Sequence, residues 1–205
     1  MAKQQTAACS RRDFLQASAA AFAVPLLAGG SAAAWADTLL PSVPGHDFYK
    51  VLFDRESPAA VAFGRRAAAL QLPAVEVGRE VTSLWYDDLY HRWQQGPAAI
   101  AGLTAPHVAF CLQILARDVG MRLMYRGEHS PLGDGRIRHR LTGPADELAR
   151  AALLDADWTQ GTAQLVGCCR AAPEHTEVEF ISTAGNDAMD EQLVSWVLAP
   201  RPSPG

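Results

Sequence analysis

The chain has 205 residues, 49% of them hydrophobic and 20% charged, with a formal charge of −4. That balance is typical of a soluble globular protein and excludes a disordered tail, a collagen-like repeat and a polytopic membrane protein. With only two lysines and an excess of acids, the chain lacks the basic face a dedicated nucleic-acid binder needs to neutralise phosphates.

The first 36 residues have the layout of an export signal. Lys3, Arg11 and Arg12 form a short cationic start, and an alanine-rich, weakly apolar stretch follows over residues 17–30. Ala34-Trp35-Ala36 then gives an A-x-A cleavage pattern, with Ala36 the last residue removed. The apolar stretch is shorter than the roughly 20 residues a bilayer span needs, and Pro25, Gly29 and Gly30 interrupt it. Ser10-Arg11-Arg12-Asp13-Phe14-Leu15-Gln16 resembles the S-R-R-x-F-L-K consensus of twin-arginine signal peptides, departing from it only at Gln16. The resemblance covers the signal segment alone and rests on Arg11, Arg12, Phe14 and Leu15. It implies a bacterial protein that the twin-arginine translocase exports already folded, with a periplasmic destination and no stable membrane span after cleavage. An ordinary secretory signal with two arginines and a retained N-terminal anchor are the alternatives.

Cleavage after Ala36 leaves residues 37–205 as a single domain. It removes three basic residues and one acid, so the remainder is more acidic than the whole. Cys9 leaves with the signal, and Cys111, Cys168 and Cys169 remain. An odd number cannot pair internally, and adjacent cysteines strain a mutual bridge. Cys111 bridged to one of the pair, or three thiols acting as small hydrophobes, are both open.

In chain order, residues 49–53 (Tyr-Lys-Val-Leu-Phe) form the first predicted strand. Ser57 and Pro58 suit the N-cap and first position of a helix, whose apolar face is Ala60, Phe63, Ala67 and Leu70. Residues 74–77 give a second strand. Residues 84–93 form an aromatic, partly helical stretch, with Trp85, Leu89 and Trp93 as a packing stripe and Tyr86 and Tyr90 beside it. Residues 98–103 are uninterruptedly apolar, as a strand covered on both faces would be. A helix opening at Pro106 buries Val108, Cys111, Leu112, Leu115 and Val119, which makes Cys111 a core residue. Residues 121–125 give the fourth strand. This alternation predicts an α/β protein: a three-layer α/β/α sandwich with a mainly parallel sheet, Rossmann-like or flavodoxin-like, and a mixed C-terminal part. In that part Gly133-Asp134-Gly135 is a turn, residues 136–141 and 177–181 are strand candidates, residues 145–154 and 159–170 are helix candidates, and residues 192–199 fit either state.

No dinucleotide fingerprint, P-loop, G-x-S-x-G elbow or H-E-x-x-H is present, and no motif specifies a cofactor. Ligands of open parallel sheets bind beyond the carboxyl ends of the strands. That rule selects Asp54 after the first strand, Thr104 and His107 after the third, and Arg126, Glu128 and His129 after the fourth. Asp54, Glu128 and His129 could hold a divalent metal, with Asp87 and His91 as further ligands. Arg126 and Thr104 could instead hold a small anion. Ion pairing among these same groups is the competing reading. The expected function is a non-catalytic accessory or binding protein of a cell-envelope redox system, partnered with an envelope enzyme subunit. The alternatives are a small metal-dependent hydrolase using the strand-end crevice, or a small-molecule-binding protein.

Overall fold

A computed structural model describes residues 46–154, 157–170, 174–183 and 189–200. The expected signal segment, with Arg11, Arg12, Phe14, Leu15 and the expected cleavage position Ala36, lies outside the described residues. So does the lead-in up to residue 45.

Seven strands form one sheet: β1 (Lys50–Asp54), β2 (Ala74–Val77), β3 (Ile100–Thr104), β4 (Met121–Pro131), β5 (Arg136–Pro144), β6 (His175–Thr183) and β7 (Leu193–Pro200). Their spatial order is β2-β1-β3-β7-β4-β5-β6. Only β1 with β2 and β1 with β3 are parallel. The four remaining neighbour pairs are antiparallel, so the expected mainly parallel sheet is corrected to a mixed one in an α/β protein. Two of these four pairs come from β4 turning back into β5 across residues 132–135 and from β6 pairing on the outer edge of β5, and the other two come from β7. Residues Leu193 to Ala199 are all buried, and this apolar strand from the end of the chain inserts between β3 and β4. There it supplies both with an antiparallel partner.

Helices pack on both faces. α1 (Pro58–Ala69) begins where expected: Ser57 Oγ accepts from the Ala60 N–H at 3.3 Å, and Pro58 opens the helix. Phe63 and Ala67 of α1 join Leu165 and Val166 of a helix over Trp158–Cys168 on one face, called face A, over Val51, Leu103 and Val197. Face B carries α2 (Thr82–Leu84), a π-helical turn (Trp85–Leu89), α3 (Tyr90–Gln94) and α4 (Pro106–Asp118). Their Leu89, Trp93, Val108 and Leu112 cover Leu52, Ile100, Val194 and Trp196. The expected helix over residues 145–154 is instead two short turns, α5 (Ala145–Leu148) and a 3-10 turn (Ala151–Leu154); α6 is the helix Trp158–Cys168.

Two local features decide what faces where. β4 runs to Pro131, well past Tyr125, so Arg126, Glu128 and His129 lie within the strand and not beyond its tip. A register shift between Leu123 and Tyr125 in the pairing with β7 buries both Met124 and Tyr125 in the face A core. A single extra residue inverts the parity of everything downstream. Tyr125, Gly127 and His129 therefore point to face A, and Arg126 and Glu128 to face B. In α4 the buried residues are Val108, Ala109, Leu112 and Ala116, and Cys111 is exposed, which corrects its assignment to the core. Cys111 lies over face B and Cys169 is buried on face A, so the sheet separates them. Cys111, Cys168 and Cys169 are all free thiols.

Candidate functional site

β7 is antiparallel to both β3 and β4, so β1, β3 and β4 do point the same way. Thr104 pairs with Val194, and Val194 with Glu128. Thr104 and Glu128 thus share a level on face B, two strand spacings (roughly 10 Å) apart. Asp54 occupies the neighbouring position on β1. His129 does not join them. Successive side chains of a strand alternate, so its ring lies on the opposite face from Glu128, and the adjacent pair cannot ligate one ion. Asp87 lines a groove beside β2, and His91 packs edge-on against Tyr90 at 5.4 Å. Among the described residues no group of three or more His, Cys, Asp or Glu side chains is arranged to hold a metal.

Each strand-tip side chain has a partner within the domain. Asp54 is fully buried; its Oδ1 accepts from the Glu56 N–H at 2.9 Å and its Oδ2 is 3.6 Å from Arg79 Nε. Arg79 also contacts Glu56 at 3.3 Å and Glu191 at 2.8 Å, while its carbonyl accepts from His107 Nε2 at 3.0 Å. Thr104 Oγ1 accepts from the Trp196 indole N–H at 3.0 Å. Gly102 makes that contact feasible, since a Cβ there would lie 2.4 Å from the Leu52 carbonyl and 3.0 Å from the indole. Arg126 Nε donates to Glu128 at 3.0 Å. The hub of the crevice is therefore Arg79, which sequence reasoning missed; its position just past the tip of β2 was the available signal.

Beside the hub runs a groove of about 570 Å³, between the edge of β2 and the π-helical turn, lined by residues that include Lys50, Arg55, Glu76, Glu80 and Asp87. Asp88 fastens this turn to β1, accepting from Tyr49 Oη at 2.5 Å and pairing with Lys50 Nζ at 2.6 Å. The stripe Trp85, Leu89, Trp93 packs inward as expected. Tyr86 and Tyr90 stay 63% and 42% exposed.

The second concentration of polar groups is on face A, with no solvent exposure at its centre. His129 Nδ1 lies 2.7 Å from His139 Nδ1, His129 Nε2 lies 2.8 Å from Ser195 Oγ, and His139 Nε2 lies 2.8 Å from Ser182 Oγ. Ser195 Oγ in turn reaches Tyr125 Oη at 3.2 Å. Trp158, at the start of α6, covers both imidazoles with ring centroids 5.1 and 5.8 Å away. Burial lowers both histidines: His139 to about 4, and His129, which also feels His139, well below the ordinary histidine value. Burial likewise raises Tyr125 and pushes the Cys169 thiol up to about 12. These groups are uncharged at neutral pH. His139, Ser182 and Ser195 escaped sequence reasoning because they belong to three separate strands. The polar residues that alternate with apolar ones at 137–141 were the one hint.

Comparison with protein-family models, curated proteins and solved structures finds no match.

Proposed function

We propose that this chain is a non-catalytic binding or accessory protein of the bacterial cell envelope, exported folded by the twin-arginine translocase and acting beside an envelope enzyme. The observation that carries this reading is the internal commitment of the strand-tip groups. Thr104 is spent on Trp196 and Arg126 on Glu128, and Asp54 faces Arg79 as an ion pair at 3.6 Å, its Oδ2 making no hydrogen bond, which gives these side chains a structural role. The bulky apolar groups left outside among the described residues are Tyr86, Tyr90, Phe110, Ile114 and Ile181, and aromatic side chains among them are of the kind that protein interfaces use. The leader sequence supports the destination.

The test expresses the full chain from its native leader. Fractionation should find it in the periplasm, and retained in the cytoplasm when Arg11→Lys and Arg12→Lys are combined. The exported protein should migrate with a stoichiometric companion that the Phe110→Ser variant loses. Isolation as a lone monomer, unaffected by Phe110→Ser, would overturn the accessory reading.

A second reading, small-molecule binding, is favoured by the groove beside β2, where Arg55 packs over Gly78 and has no ion-pair partner among the described residues. A panel of small carboxylates and phosphates should then raise the melting temperature of the wild type but not of Arg55→Ala. The metal-dependent hydrolase reading has no such support, because Asp54, Glu128 and His129 do not converge.

A further inference from the structure

The chain Ser182–His139–His129–Ser195–Tyr125 crosses four adjacent strands, β6, β5, β4 and β7. All four imidazole nitrogens are engaged with each other or with hydroxyls, and none with a carboxylate. The proton count of such a chain is fixed by its geometry. A 2.7 Å gap between the two Nδ1 atoms holds one proton. With that proton on His139, His129 donates from Nε2 to Ser195, and Ser182 donates to His139. With it on His129, Ser195 donates to His129, and His139 donates from Nε2 to Ser182, which can donate on to the Thr183 carbonyl at 3.4 Å. Both arrangements are neutral and complete.

One extra proton also fits. Both outer nitrogens then donate outward, and Ser195 and Ser182 pass their own protons on, to the Gly127 carbonyl at 3.5 Å or Tyr125 Oη, and to Thr183. A second extra proton does not fit, because it sets two N–H groups against each other across the gap.

This contact lies within the antiparallel ladder that joins β4 to β5, over Arg126–Pro131 and Ile137–Thr142. Among the described residues β6 is the edge of the sheet and pairs with β5 alone. Directly opposite His139 on β4 is His129. Phe180 of β6 stacks on the His139 ring at 5.0 Å.

We propose that the His129–His139 pair is an acid-sensitive clasp, whose uptake of two protons parts the rings and loosens the paired strands β5 and β6 from β4 and from Trp158.

The titratable groups on the surrounding elements are few. β4 adds Tyr125. α5 adds Glu147, whose carboxyl burial raises. α6 adds Asp157 at its start, paired with Arg66 of α1, and Cys168 and Cys169 at its end. β7 contributes only Ser195. Arg126, Glu128, Arg138, Arg140, Glu177 and Glu179 lie on the other face of the sheet.

The experiment titrates the full chain from about pH 7.5 to 4, following tryptophan fluorescence and the imidazole resonances by NMR. Above about pH 5, His129 and His139 should hold constant shifts. Below about pH 5 a cooperative fluorescence change should follow, with a two-proton steepness. In His139→Phe, which keeps a ring against Phe180, the steepness should fall to one proton and the midpoint should drop by about one pH unit. Ordinary imidazole titration of His129 and His139 in a protein that keeps its dispersed spectrum would overturn the proposal without any variant. An acid transition unchanged in His139→Phe, or abolished by Glu147→Gln alone, would overturn it as well.

Discussion

Gly127 sits beneath the polar chain of face A. A Cβ there would lie 2.4 Å from Ser195 Oγ, 2.7 Å from Tyr125 Oη and 2.9 Å from Leu141. The missing side chain is what lets the tyrosine and serine hydroxyls meet between β4 and β7. Gly127→Ala should therefore cost about 1–3 kcal/mol as an overpacked core position, measured by urea unfolding, and a variant as stable as the wild type would contradict this packing. On face B, Thr104→Val keeps shape but strands the indole N–H of Trp196 in the core. A buried donor without an acceptor costs about 1–3 kcal/mol, so chemical unfolding should show that loss, and Thr104→Ser should recover most of it. These two sites differ in legibility. Thr104 is found from the sequence as a strand-end residue, although its partner is not. Nothing in the sequence around Gly127 names the two hydroxyls it makes room for.

At the scale of elements, two helix starts offer a comparison. Ser57 caps α1 through one hydrogen bond, whereas Asp157 caps α6 by accepting from the Gln160 N–H at 2.9 Å and also holds Arg66 at 2.5 Å. Loss of a cap costs about 0.5–2 kcal/mol, so Ser57→Ala should fall in that range and Asp157→Ala should exceed it. Burial opposes ionisation of Asp157, but the Arg66 guanidinium and the Gln160 N–H outweigh burial and hold its carboxyl below the usual range. Its contribution is then complete above the ordinary aspartate value of about 3.9 and is lost as pH falls through the lower folded value. The histidine pair has lowered values too. Its destabilisation sets in as pH falls below about 6.5, where the unfolded histidines begin to take up protons the folded ones refuse. A pH series of unfolding free energies should therefore show two separate declines, and Asp157→Ala should remove only the more acidic one. The helix α4 supplies a third test. Cys111 is on its outer surface and Cys169 is in the core with a raised thiol pKa. Iodoacetamide labelling of the native chain, mapped by peptide mass, should modify Cys111 rapidly and Cys169 only after unfolding.

For the whole molecule, the alternation of strands and helices over residues 49–125 was enough to identify the α/β class, because βαβ connections leave a clear rhythm in the sequence. The same rhythm misled about strand direction. It records how consecutive strands are linked and says nothing about a later strand entering between them, and β7 does so some 70 residues after β4 begins. Four of the six neighbour pairs are antiparallel, two of them through β7, and the paired strands β5 and β6 extend the sheet to an edge guarded by Glu177 and Glu179, charges that discourage strand addition. On the open part of face B these acids pair with Arg138 and Arg140, exposed contacts that contribute little to stability.

The sequence by itself determined the local matters: the helix starts at Ser57 and Pro106, the inward stripe of Trp85, Leu89 and Trp93, the apolar strands, and the resemblance of the leader. Each of these is set by neighbours within a turn or two of the chain. Tertiary structure alone decided which polar groups meet. A one-residue bulge at Met124 decides that His129, and not Glu128, faces the core of face A, and the insertion of β7 carries Ser195 to His129 and Trp196 to Thr104. Contacts between residues 66 and 92 positions apart depend on register and strand order, and no local pattern encodes either.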